Sequence, residues 1–266
     1  MVMIAARPLR KDYLTALKNW GQVITYLMVL ETGARFRGSR MAAIFAFCEP
    51  LLLVLLLVLM RGVFRGRFPE YGTSVWVFYS SGVFPYYMFL RVSARTRVQY
   101  EAARRLPRVS STELVIASSA SEAAIIVASA LVWFVILWLC GQQEAVPTSL
   151  GICLAACFFL IMLGVGVGLI NSVVYRRFTI WKYIYPRFSR FLMLMSGIYW
   201  VVDLMPPYLR SIVVWFPTAH AIEWFRLGLY GRYPIHTLDV GYLIGCSVGA
   251  LFLGILVHYS TLRYVR

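Results

Sequence analysis

Acidic residues are scarce in this chain, and lysine is scarcer still. Eleven Asp and Glu stand against 26 Lys and Arg in 266 residues, and the lysines are Lys11, Lys18 and Lys182 alone. A P-loop needs Gly-x-x-x-x-Gly-Lys-Ser/Thr, so that backbone amides and a lysine hold the phosphates. None of the three lysines closes such a motif, which excludes ATP binding by that route. Histidine is limited to His220, His236 and His258, and none of them sits in H-E-x-x-H. Nothing in the sequence around Ser80, Ser81 and His258 supports a serine hydrolase dyad. The cysteines, Cys48, Cys140, Cys153, Cys157 and Cys246, lie in or beside apolar runs without the paired spacing of a disulfide framework or zinc site. They read as small buried hydrophobes. The first 20 residues show no compact apolar core followed by a small-residue cleavage site, so the first apolar run is expected to serve as its own insertion signal. The chain is not expected to be an enzyme or to hold a metal or cofactor of its own.

What is abundant is hydrocarbon. Hydrophobic residues make up 61% of the chain and charged ones 14%, with a mean hydropathy of +0.73. Soluble domains run about 45–50% apolar. Six runs approach the roughly 20 residues that cross a bilayer core, near 41–60, 71–90, 114–140, 148–174, 187–202 and 239–262. The expected fold is an all-α integral membrane protein, one domain over 1–266 with a six-span bundle at 41–262. Twenty of the 26 basic residues fall before the first span, after the second and fourth, and in the tail. The positive-inside rule then places both termini in the cytoplasm. The formal charge of +15 is mostly this topology signal and argues for no nucleic-acid partner. Leu17, Trp20, Ile24 and Leu27 recur at helical spacing, so residues 1–33 are expected to supply an amphipathic helix at the cytoplasmic interface, lying in the lipid or packed on the bundle.

Several residues stand out within the spans. Glu49, before Pro50, and Glu122 are acids at membrane depth, where a charge is costly and needs a partner. They suit a structural, water-reached hydrogen bond or a proton or substrate path. Trp76, Tyr79, Val83 and Tyr86 fall near one face of the second span, as ordinary packing or as a stripe on which sugar C–H faces stack. Tyr199 and Trp200 join them as candidate pathway aromatics. Gly164 and Gly168 have the small-x-x-x-small spacing of close helix packing. Arg65 and Arg67 lie in the first external loop, where they anchor to headgroups or steer an acidic polymer. In VWFPTAHAIEWFR, residues 214–226, Pro217 breaks an aromatic run that carries Trp215, Phe216, His220, Glu223, Trp224 and Arg226. This segment is expected to form an outer re-entrant helical pair between spans five and six, with Glu223 and Arg226 paired at i, i+3. A surface amphipathic loop is the alternative.

Three stretches carry a family resemblance. GARFRGSRMAAIFAFCEPLLL, residues 33–53, with Glu49-Pro50, is similar to the entry of the first span in ABC-2-type polysaccharide export permeases. LPRVSSTELVIASSASE, residues 106–122, resembles their loop before the third span. MSGIYWVVDLMPPYLRSIVVWFPTAHAIEWFR, residues 195–226, resembles the capsular polysaccharide exporters of the KpsM-type group, with Phe216 where that group has asparagine. The resemblance runs in order along almost the whole chain. It implies a permease that pairs with a second copy and with two separate ABC ATPase subunits, which bind ATP and Mg. It further implies a periplasmic adaptor of the polysaccharide co-polymerase type, an outer-membrane export protein and an acidic, lipid-linked polysaccharide as cargo. By the same resemblance the segment 101–113, with Glu101, Arg104, Arg105, Leu106, Arg108 and Val109, includes the helix that docks in the ATPase. An ABC-2 permease for O-antigen, teichoic acid or a drug, and an ATPase-independent channel or secondary carrier, remain as alternatives. The residues alone reach a six-span permease or channel.

Overall fold

The computed structural model describes residues 20–30, 32–33, 40–64, 70–103 and 111–263, and all regular structure among them is helical. A short helix α1 (Trp20–Leu30) precedes α2 (Arg40–Phe64), α3 (Val75–Ala103), α4 (Ser111–Leu139), α5 (Leu150–Arg177), α6 (Trp181–Leu194), α7 (Pro207–Val213), α8 (Pro217–Tyr230) and α9 (Val240–Arg263). Four of these are long and apolar enough to cross a membrane, through Ile44–Gly62, Glu113–Leu139, Leu150–Tyr175 and Val240–Ser260. Their positions match the apolar runs read from the sequence.

Helix α3 is the hub. It packs against α2, α4, α5 and α8, and Phe78, Val83, Phe84 and Tyr86 are almost wholly buried. Enclosure explains its composition, because a helix wrapped by protein needs no uniformly lipophilic surface. Its serines turn back onto their own helix: Ser80 Oγ donates to Trp76 O at 2.6 Å and Ser81 Oγ to Phe78 O at 2.7 Å. The helix also runs well past residue 90, where the apolar run ends. Arg91 and Arg95, assigned from the sequence to a cytoplasmic loop, are therefore helical.

The fifth expected span, 187–202, is not one helix. α6 starts earlier, at Trp181, and stops at Leu194. Fourteen residues at 1.5 Å each give ~21 Å, short of a bilayer core. The chain turns because Gly197 adopts φ +71, a conformation open to glycine.

Glycine also sets the tightest seam, between α5 and α9. A Cβ on Gly166 would lie 2.4 Å from the carbonyl carbon of Ala250, and one on Gly254 would lie 2.7 Å from Gly166 O. Gly164 faces the other way, toward Phe89 O and Val92 of α3. Gly166 and Gly254 thus join the expected Gly164 as close-packing glycines, each toward a different neighbour.

At α1, Leu27 packs on Leu114 and Ala117 of α4 while Tyr26 and Val29 stay exposed. One side of α1 is therefore packed on the bundle, which is the second of the two expectations for this helix. The 140–149 connection is tied at two points. Glu144 accepts from Thr73 N at the start of α3 (2.9 Å to each carboxylate oxygen). Thr148 N and Ser149 N donate to Leu229 O and Gly228 O at the end of α8. Cys140 lies at the surface, unlike the small buried cysteine expected there.

Candidate functional site

Antiparallel packing of α2 on α3 brings polar side chains together at two levels. At one end Arg91 Nη2 donates to Glu49 Oε2, and also to Ala46 O at 3.3 Å. At the other end Arg61 donates to Tyr79 OH at 3.3 Å and to Glu70 at 3.2 Å. One turn beyond Arg91, Arg95 lies 3.8 Å from Glu122 of α4. Each acid singled out in the sequence therefore has an arginine from α3, as expected of charge at membrane depth.

The α3 aromatics do not form one open face. Trp76 meets Trp133 of α4 edge-on at 6.0 Å. Tyr79 reaches α2 through Arg61, and Tyr86 OH donates to Ser189 O of α6. Three neighbouring helices claim them, because α3 is surrounded. Further polar side chains nonetheless gather beside these tyrosines. Tyr199 interacts electrostatically with Tyr79, and Tyr87 with Glu49, Arg91, Arg190 and Tyr199. Tyr87 was not legible as a member, since its neighbours come from three separate parts of the chain. Trp200 is partly exposed.

The segment after α6 is organised by Arg226, which is fully buried on α8. Its guanidinium donates to Gly197 O (2.8 Å), Ile198 O (3.0 Å), Trp200 O (3.2 Å), Ser81 Oγ (3.2 Å) and Tyr233 OH (3.2 Å). It also lies 4.1 Å from the ring centre of Phe78. The broken backbone at 197–200 leaves carbonyls that a helix would have paired, and unpaired carbonyls are tolerable at depth only with protein donors. A planar fork with five N–H groups supplies them.

The expected pairing of Arg226 with Glu223 is absent, because these acceptors occupy the guanidinium. Glu223 is buried too and accepts from Thr237 Oγ1 at 3.2 and 3.3 Å. Burial, and then the nearby Asp203, push its carboxyl up to about 7; α8 lies outside the four spans. His220 is held at both nitrogens, with Asp239 N donating to Nδ1 at 3.1 Å and Nε2 facing Val214 O at 2.8 Å. Trp224 stacks on Phe159, Phe216 is half-buried, and Trp215 is exposed at the α7–α8 turn.

Arg65, Arg67, Arg104, Arg105, Leu106, Arg108 and Val109 lie outside the described residues, as does the side chain of Glu101. Among the described residues no group of three or more His, Cys, Asp or Glu is placed to hold a metal. A Gly-x-Ser-x-Gly pattern does occur, at Gly245–Gly249, but in mid-helix on α9 with Ser247 wholly buried. The exposed strand-to-helix turn that makes such a serine a nucleophile is missing.

Four membrane-length helices around a hub that carries paired charges and buried tyrosines define a polytopic membrane protein. The chain belongs to the ABC-2 type transporter family, whose profile matches residues 22–230. It is 26% identical over 247 residues to the capsule polysaccharide export inner-membrane protein BexB of Haemophilus influenzae, covering 89% of this chain and 90% of that one. It is 27% identical over 258 residues to CtrC of Neisseria meningitidis serogroup A, a protein of the same description, covering 93% and 94%. It is 27% identical over 236 residues to the polysialic acid transport protein KpsM of Escherichia coli, covering 87% and 90%.

Proposed function

We propose that this chain is the membrane-spanning permease subunit of an ATP-driven exporter that moves capsular polysaccharide from the cytoplasm across the inner membrane. The observation that carries this reading is end-to-end similarity to inner-membrane proteins of capsule and polysialic acid export, covering at least 87% of both chains. The cluster of Tyr79, Tyr86, Tyr87 and Tyr199 on and beside α3 supports it, since sugars offer C–H faces to rings and hydroxyls to phenols.

In this proposal α2, α3, α4, α5, α6 with its following turn, and α9 make six crossings. Both termini face the cytoplasm, as the basic residues favour, and α7 and α8 form the outer re-entrant pair. Two copies line the path, and two separate ATPase subunits, which bind ATP and Mg themselves, dock at the 101–113 segment. A periplasmic adaptor and an outer-membrane export protein extend the route. The cargo is an acidic, lipid-linked polymer. Trp76, Tyr79, Tyr86, Tyr199 and Trp200 flank it, Arg65 and Arg67 meet it at the exit, and Trp215, Phe216, His220, Glu223, Trp224 and Arg226 belong to the outer gate. Tyr79 and Tyr86 are covered by α2 and α6 within one copy, so the path opens when those helices move off α3.

Deletion of the gene tests the function. Surface polysaccharide should disappear and polymer should accumulate inside the cell, with recovery on plasmid complementation. Substituting the P-loop lysine of the partner ATPase should give the same phenotype. Persistent surface capsule in the deletion strain would refute the proposal. Export that survives loss of the ATPase would point to a secondary carrier, and loss of O-antigen or teichoic acid instead of capsule would reassign the cargo.

A further inference from the structure

We propose that a slot between α4, α5 and α9 is a binding site for one acyl chain of a bilayer phospholipid. α4 and α5 both flank α3, yet they barely touch one another, and α9 is drawn tightly onto α5 at Gly166 and Gly254. The divergence of α4 leaves a cavity of about 390 Å³ on the flank of the α5–α9 seam. Val115 and Leu169 are buried at its floor, and Phe158 and Ile255 are exposed at its mouth.

Three features select the occupant. All three walls belong to membrane-length apolar segments, so the mouth opens into hydrocarbon. The lining is apolar apart from His258 and Tyr259, which both sit at one end. Walls of this kind reject water, and a void would forfeit dispersion contacts all around. The length also fits. From Phe158 to Leu169 along α5 is ~16 Å at helical rise, about half of a hydrocarbon core of ~30 Å. One tail of one leaflet spans that distance, with its headgroup at the His258–Tyr259 end.

The test is photolabelling of the full-length protein in nanodiscs, using phosphatidylethanolamine with a diazirine in its acyl tail, followed by peptide mapping. Label should concentrate on the α5 stretch 158–169 and the α9 stretch 251–259. Val165→Phe, which fills the slot, should lower that labelling roughly fourfold or more, the equivalent of about one methylene's burial, and should leave labelling of α2 unchanged. Leu251→Trp, from the opposite wall, serves if the first variant does not fold. Labelling that merely follows exposed area, or that is indifferent to both variants, would overturn the site. So would cross-links from this face to a second copy. Displacement of the probe by the lipid-linked polymer, but not by unlabelled phospholipid, would overturn the choice of ligand.

Discussion

Arg91 and Arg95 lie one helical turn apart on α3 and reach opposite neighbours, Glu49 on α2 and Glu122 on α4. Their acids differ in exposure, at 48% for the Glu49 side chain and 4% for Glu122. Solvent therefore screens one pair and not the other. Arg91→Leu should cost about 1 kcal/mol or less. Arg95→Leu leaves a buried carboxylate without its arginine and should cost roughly 3 kcal/mol. Thermal unfolding of the detergent-solubilised variants measures the difference, and equal losses would contradict it.

Arg226 should not be replaceable by lysine. An ammonium has three donors against the five of the guanidinium, so Arg226→Lys leaves at least two of the five buried acceptors unserved, at about 1–3 kcal/mol each. Reduced accumulation and a lower melting temperature are expected. The charge swap Glu223→Arg with Arg226→Glu should be no better than Arg226→Glu alone, because the two side chains make no ion pair. Recovery in the swapped variant would show that they do.

The α5–α9 seam predicts a sharp contrast between glycines. Gly166→Ala drives a methyl into the Ala250 backbone and should destabilise by about 1–3 kcal/mol. Gly249→Ala, where a Cβ meets nothing within 4 Å, should be neutral or stabilising by up to about 1 kcal/mol from helix propensity. Side-by-side melting curves decide the matter.

Glu223 gives the outer segment a pH dependence. Its folded carboxyl is raised above the ordinary value, to about 7, so the folded state binds the proton more tightly than the unfolded one. Relative stability is then greatest at acid pH and is lost as pH rises from about 4.5 through 7. The full swing corresponds to roughly 3 kcal/mol. Glu223→Gln should flatten the pH profile of the melting temperature across that window. An unchanged profile would remove Glu223 as its source.

For the proposed ATPase contact, Leu106→Glu with Val109→Glu should abolish capsule export without reducing the amount of permease in the membrane. Surface polymer by antibody binding and membrane immunoblots measure the two quantities. Undiminished export would refute that contact.

Hydropathy located α2, α4, α5 and α9 because lipid demands a continuous apolar surface. It failed at the ends of α3, where enclosure by other helices lifts that demand and lets the helix continue through Arg91 and Arg95. That Glu49 and Glu122 needed partners was legible, but the partners' identity depended on antiparallel register. The role of Arg226 was hidden for a related reason. Its acceptors are created by a turn at Gly197, 29 residues earlier, and local spacing offered only Glu223.

The double tie of the 140–149 connection has a mechanical consequence. Glu144 fastens it to the start of α3, and Thr148 and Ser149 fasten it to the end of α8, so these three pieces form one clamp across one rim of the bundle. A movement that widened the rim by pulling α8 away from α3 would break several backbone hydrogen bonds at once. Outside the Arg226 cluster, α6 meets α3 through two tyrosine hydroxyls, Tyr86 with Ser189 and Tyr185 with Ser93. A shift of α6 would therefore break side-chain bonds and leave the backbone ties of the clamp intact.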